Sequence, residues 1–144
     1  MDSSAGYSVA IVGATGAVGE ALLDILQERK FPVSKLYLLA SERSAGKRLQ
    51  FHGKSVQVQR LDEFDFSQVQ IGLFSAGGEL SAEYAPKAGA AGCVVIDNTS
   101  HFRYDADIPL VVPEVNPQCV ADFKPRNIIA NPNCSTIQML VALK

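Results

Sequence analysis

The chain has 144 residues, 47% of them hydrophobic and 19% charged, enough apolar content for one compact domain with a real core. Thirteen Lys and Arg against fifteen Asp and Glu leave a net charge of -2 with no basic run, which speaks against a nucleic-acid partner. The opening stretch MDSSAGYSVAIVG lacks the charged-then-apolar pattern of a leader. No apolar run approaches the roughly 18 residues of a membrane span, so a cytoplasmic location and no membrane partner are expected.

Short β-branched runs alternate with helical stretches, the pattern of βαβ units around a parallel sheet. Tyr7 to Gly13 reads as a strand, and Ala17 to Arg29 as a helix with a stripe of Val18, Leu22, Ile25 and Leu26. Lys35 to Ala40 is a second strand. Alternating apolar positions around His52-Gly53 in RLQFHGKSVQVQRL predict a small antiparallel hairpin hung on the sheet. Gln70 to Ala76 is a further buried strand, followed by a helix over Leu80 to Ala91 and a strand over Cys93 to Asn98. LVVPEVN and NIIAN are expected to supply two more strands. The final stretch, CSTIQMLVALK, is amphipathic to its last residue with no stop signal. The expected architecture is α/β, a Rossmann-like doubly wound and mostly parallel sheet with a small hairpin. The 144 residues would form one nucleotide-binding domain ending at the start of a helix, with any second domain outside the chain.

GATGAVG places Gly13, Gly16 and Gly19 three apart between the first strand and the first helix. Glycine permits positive φ and close approach of the backbone to a pyrophosphate, and a helix N-terminus offers unpaired N–H groups and a positive dipole end. Gly13, Thr15, Gly16, Ala17, Val18 and Gly19 are therefore candidate dinucleotide-binding residues; tight strand-helix packing is the plainer alternative. After the second strand comes ASERSAGK. An acidic residue there would favour NAD, and an arginine accommodates the 2'-phosphate of NADP. Glu42 and Arg43 are both present, but Ser41 and Ser44 flank the arginine with hydroxyls suited to phosphate oxygens, so NADP is expected.

Three cysteines, Cys93, Cys119 and Cys134, show no metal-ligand spacing, and no metal site is expected. Cys93 in a strand, and Cys119 by default, fit the usual role of a buried thiol. Cys134 in IIANPNCSTIQM lies where an apolar run meets a helix start beyond a strand end. A thiol in that first turn sits at the positive end of the helix dipole, which favours thiolate, so buried filler and nucleophile both stay open on the residues alone. His52 belongs to the expected hairpin tip, and His101, close in sequence to Arg103, is not promoted to a catalytic base.

GATGAVGEALL, LLASERSAGK, FSAGGELSAEYAPKAGAAG, VVIDNTSHFR, IPLVVPEVN and NPNCSTIQM, in this order and spacing, resemble the N-terminal part of bacterial aspartate-semialdehyde dehydrogenases. The resemblance implies NADP-dependent reductive dephosphorylation of aspartyl phosphate to aspartate semialdehyde, a step of aspartate-family amino-acid biosynthesis leading to lysine, threonine and methionine. It assigns the acyl-enzyme nucleophile to Cys134, the phosphate-binding arginine to Arg103, an active-site contact to Asn133, and the loop lining the cofactor to Ser75, Ala76 and Gly77. It places the acid/base histidine and a second substrate-binding arginine beyond residue 144. The full-length enzymes are homodimers with a substrate and dimerisation domain after the nucleotide domain. SHFRYDAD departs from the more usual SAFRMD-like text without losing the arginine. A non-catalytic paralogue of the family is the rival function; the related N-acetyl-glutamyl-phosphate reductases are disfavoured by NPNCST and RSAGK.

Overall fold

The computed structural model describes residues 6–144; the acidic Asp2 of the opening stretch lies outside them. Strand β1 (Tyr7–Val12) is the hub, with Val9, Ala10, Ile11 and Val12 fully withdrawn from solvent. These four can be apolar in succession because this part of the strand is covered on both faces and paired on both edges. Strand β2 (Val33–Ala40) pairs with it in parallel on one side, and β5 (Ile71–Phe74) on the other. Beyond β2 lie β4 (Lys54–Arg60), parallel, and then β3 (Arg48–Phe51), antiparallel; beyond β5 lie β6 (Val94–Asp97) and β7 (Ile128–Ala130), both parallel. The order β3-β4-β2-β1-β5-β6-β7 leaves β3 as the one reversed strand.

Side-chain alternation along β1 and β2 divides the core between the two faces of the sheet. Ala10, Val12 and Leu39 join Phe74, Val95 and Ile128 in a cluster with Ala85 and Ala88 of helix α2 (Gly78–Ala90). Ile11 and Leu38 join Val58 in a second cluster with Leu23 of helix α1 (Ala17–Glu28). Full burial of each such aliphatic side chain contributes about 1.5–3 kcal/mol. The hairpin turns at His52 (φ 49) and Gly53 (φ 76), a two-residue loop with both φ positive that matches the twist of the flanking strands. The His52 amide donates to Gln27 Oε1 at 2.8 Å, which ties the tip to α1.

Two expectations are corrected. The LVVPEVN run forms no strand: Leu110 makes a single bridge to Ala130, and the chain then turns away. Pro113 has no N–H to offer a ladder. The Val112 amide is instead taken by Asn116 Oδ1 at 2.8 Å, while Val112 O accepts from the Val115 and Asn116 amides. Val111 and Val112 are buried all the same, so the apolar run marked core rather than strand. The inward stripe of α1 is also shifted: Gly19 and Leu23 are buried with Leu22 and Leu26 against them, while Val18 and Ile25 are nearly half exposed. The face is set by Gly19, the residue on which the helix rests.

A Cβ added at Gly19 would fall 2.8 Å from Ala14 Cα and collide with Gly13 O. Gly19→Ala therefore sets a gain in helix propensity of about 1 kcal/mol against rigid backbone atoms that cannot give way. The clash wins: the variant is expected to lose about 1–3 kcal/mol, read as a melting midpoint lowered by roughly 5–10 °C. An unchanged or raised midpoint would show that the turn has room.

Candidate functional site

The strand order reverses between β1 and β5, and the chain leaves both strands at their carboxyl ends into glycine-containing loops. Such a reversal opens a crevice because successive connections depart to opposite faces. A cavity of about 240 Å³ lies there, lined by Gly13, Thr15, Gly16, Ala40, Ser41, Leu61, Ser75, Ala76 and Leu80. Gly13, Thr15, Gly16, Ser41, Ser75 and Ala76 were singled out in the sequence and are brought together. Ala40, Leu61 and Leu80 were missed: Ala40 ends β2, Leu61 directly follows β4 and Leu80 lies in the first turn of α2, apolar positions that the pattern assigns to core rather than to a cavity wall.

The three glycines of GATGAVG do different work. Gly13 has φ 87, and a Cβ on it would press on Ala76 Cα and N at 3.0 Å, so the loops after β1 and β5 touch through it. Gly19 seats α1 on the turn. Gly16, the N-cap, has an ordinary extended φ of -86, and a Cβ there would meet nothing closer than Gly13 O at 3.5 Å. Its bareness therefore serves neither turn nor packing; it keeps the cavity wall low in front of the first-turn amides of α1, including those of Ala17 and Val18. Gly16 supplies no side-chain cap, so those amides have no protein acceptor among the described residues and present the positive end of the helix dipole. Ser75 Oγ donates to Val12 O at 3.1 Å, which holds the second loop onto the end of β1. Gly77, φ 102, is the N-cap of α2 with open space above it.

At the far end of β2, Glu42, Arg43 and Ser44 form a 3-10 turn that starts from Ser41. Arg60 holds Glu42 at 3.2 Å, Asp62 at 2.7 Å and Glu63 at 3.4 Å. The hydrogen bond from Arg60 keeps the Asp62 carboxyl below the usual range and, with it, raises the already high affinity of the guanidinium for its proton. Each of these exposed contacts contributes little to stability. Their consequence is positional: the acidic residue of the turn is drawn aside, and exposed Arg43 makes no hydrogen bond or ion pair among the described residues.

The second half of the site is built at the ends of β6 and β7. Helix α3 (Cys134–Leu143) starts with Cys134 itself, because Asn133 is the N-cap. Asn133 Oδ1 accepts the Ser135 amide at 2.9 Å, a bond that fixes the first turn and the exposed thiol in it. Arg103 forms no ion pair with Asp105 or Asp107; Arg126 takes both, at 3.9 and 3.2 Å. The Arg103 guanidinium instead donates from Nε to Asn131 O at 2.9 Å and from Nη2 to Asn98 O at 3.3 Å. Asn131 precedes Cys134 by three residues, so the arginine is moored to the segment that carries the thiol. Cys93, by contrast, is buried in the core, and burial pushes its thiol up to about 12. His52 and His101 are exposed, the latter edge-on to the Phe102 ring at 4.6 Å. A larger hollow of about 450 Å³ runs past Asp107, Cys119 and Asp122, but no strand end or helix N-terminus opens into it.

A cavity at the switch point of a parallel sheet, with bare helix-start amides beside it, is the arrangement of a Rossmann-type nucleotide-binding domain. The family model described as semialdehyde dehydrogenase, NAD binding domain, matches residues 8–123. The chain belongs to that family. It is 73% identical over 138 residues to aspartate-semialdehyde dehydrogenase 2 of Vibrio cholerae, an alignment covering 96% of this chain and 41% of the relative. The crystal structure of aspartate semialdehyde dehydrogenase II from that organism, complexed with ASA, superposes with a TM-score of 0.95 over 96% of this chain and 45% of the other, at 73% identity. The aspartate semialdehyde dehydrogenase of Candida albicans, solved with NADP, superposes at 0.77 and 29% identity over 96% of this chain and 46% of the other. This chain thus spans less than half the length of these relatives.

Exposure separates the thiols. Iodoacetamide at neutral pH is expected to label Cys134 within minutes and to leave Cys93 unmodified until the fold opens, because only thiolate reacts and Cys93 is both inaccessible and protonated there. Peptide mapping by mass that found Cys93 labelled first would contradict this assignment of core and site.

Proposed function

We propose that the chain is the nucleotide-binding part of an NADP-dependent aspartate-semialdehyde dehydrogenase. The reaction is reduction of L-aspartyl 4-phosphate to L-aspartate 4-semialdehyde with release of phosphate, carried by the full-length protein as a homodimer. The observation that carries the proposal is the attachment of Arg103, through Asn131 O, to the turn that exposes Cys134.

The residues present fit the dinucleotide. The first-turn amides of α1 and Thr15 would hold its pyrophosphate at the low wall left by Gly16. Arg43, between Ser41 and Ser44, would take the 2'-phosphate, and Ser75, Ala76 and Gly77 would line the far side. The bound nucleotide supplies a hydride. Cys134 sulfur attacks the acyl carbon, forming a C–S bond as the C–O bond to phosphate breaks and phosphate departs with the electron pair. With the nucleotide in place, the thioester carbon on Cys134 would accept its hydride, and cleavage of the C–S bond would then free the aldehyde and return the thiolate. Arg103 offers the unengaged part of its fork, Nη1 included, to the phosphate in its bound and leaving states. The oxygen of the thiohemiacetal gains a proton as the hydride adds and gives it up as the aldehyde forms; that transfer would fall to a group other than His52 or His101, since neither imidazole makes a hydrogen bond among the described residues and His101 meets the Asp97 network only through its main-chain amide.

In the full-length protein, Cys134→Ser is expected to lower turnover of aspartate semialdehyde with NADP and phosphate by at least ~10³-fold. Nucleotide affinity should stay within about twofold, because the thiol lies on a different strand end from the phosphate loop. Inactive wild-type full-length protein that still binds NADP would overturn the proposal in favour of a non-catalytic paralogue. The cofactor assignment has its own test by calorimetry: Arg43→Ala should weaken NADP by about tenfold or more and leave NAD nearly unchanged, the magnitude of one charge-assisted phosphate contact. Equal affinities for NADP and NAD in the unaltered protein would refute the choice of NADP.

A further inference from the structure

The two carbonyl oxygens that receive the Arg103 guanidinium belong to Asn98 and Asn131, and the side chains of these same two residues are bonded to each other. Asn131 Nδ2 donates to Asn98 Oδ1 at 2.7 Å, joining positions 33 residues apart at the ends of β6 and β7. Five further hydrogen bonds stiffen the frame. The Asn131 amide donates to Asp97 O at 2.8 Å, and the Asn98 amide to Phe74 O at 2.9 Å. The Asp97 carboxylate, fully buried, accepts from Ser81 Oγ at 2.7 Å, from Thr99 Oγ1 at 2.7 Å and from the Thr99 amide at 3.3 Å. The Asn98 peptide is therefore gripped on both sides, and its carbonyl is left to point one way.

We propose that the Asn98–Asn131 side-chain bond is a clamp that holds two backbone carbonyls at the spacing of the Arg103 fork and so aims the free edge of the guanidinium at the substrate phosphate. A guanidinium carries donors in a fixed plane, so binding two of them to the protein determines where the others point. Without the clamp the β6 and β7 ends are joined by the sheet ladder, whose last paired residues are Asp97 and Ala130, and by the Asn131 amide on Asp97 O, so nothing but Arg103 itself would then tie the Asn98 carbonyl to β7 among the described residues. Neither asparagine would touch substrate; both act through Arg103. The inference rests on the phosphate-binding role given to Arg103 under Proposed function.

The test uses the full-length enzyme in the oxidative direction, with inorganic phosphate as the varied substrate. Asn98→Ala and Asn131→Ala are each expected to raise KM for phosphate about 5- to 30-fold while KM for NADP moves less than about twofold. The double variant should be no worse than the poorer single one, since two halves of one bond are lost only once. Asn131→Asp, nearly identical in shape but with an acceptor facing an acceptor, should reproduce the Asn131→Ala effect, which keeps the test open if the alanine variant does not fold. Additive single effects, or an unchanged phosphate KM in folded variants, would overturn the clamp. Arg103→Ala separates the two failures. A strong phosphate effect there with silent asparagine variants sinks the clamp alone. A silent Arg103→Ala removes the phosphate role and the clamp with it.

Discussion

Everything at the nucleotide end of the molecule depends on one contact without a side chain: Gly19 of α1 lying against the carbonyl of Gly13. With no Cβ between them, the helix starts within touching distance of the strand that precedes it, and the turn cannot open without separating two backbone segments. That contact chooses which face of α1 turns inward, which is why Leu22, Leu23 and Leu26 pack against the sheet while Val18 and Ile25 remain at the surface. It also holds the uncapped amides of the first turn over the carboxyl edge of β1, where the loop after β5 meets them across Gly13.

The thiol end is organised by hydrogen bonds instead of steric contact. A fully buried carboxylate, Asp97, is satisfied by hydroxyls and an amide without any cation, and β6, α2 and the loop to Arg103 converge on it. Buried polar groups of this kind are costly if left unmatched, and among the described residues none is. The two ends differ in electrostatic design as well. Around Arg60 three carboxylates share one partly exposed guanidinium, which is weak in energy but settles which charge of the turn after β2 is free. Around Arg103, among the described residues, no carboxylate comes within ion-pair distance, and its guanidinium is engaged by main-chain oxygens alone.

The sheet and its helices were legible because a parallel sheet covered on both faces writes its strands as unbroken apolar runs, and Tyr7–Val12, Ile71–Phe74 and Val94–Asp97 all stand where those runs do. The hairpin was legible from His52-Gly53, a pair that tolerates two positive φ values. What misled was apolar sequence used for burial alone. Leu110 to Val112 read like a strand, and only the hydrogen bonds around Pro113 and Asn116 show that the chain leaves the ladder. The cavity was legible through its glycines and serines, while Leu61 and Leu80 carried no local mark. The partners of Arg103 could not be read at all, because they are main-chain oxygens, and a carbonyl has the same name at every position.

The order of the strands in space has a consequence in time. The central strand is the first of them in the chain, and the residues that tie it to β5, Ser8 and Gln70, are 62 positions apart. At synthesis rates of about 5–20 residues per second, β1 waits roughly 3–12 s after leaving the ribosome before that neighbour exists. During those seconds an edge of Val-Ala-Ile-Val stands unpaired, the kind of strand that nascent chains must shield from one another. Nor can anything bound in the cavity help, since Ser75 and Ala76 of its lining emerge later still. The same topology that places the cavity at the middle of the finished sheet thus denies the growing chain any ligand-assisted start, and leaves its early half dependent on the β2 pairing and on whatever holds nascent strands apart.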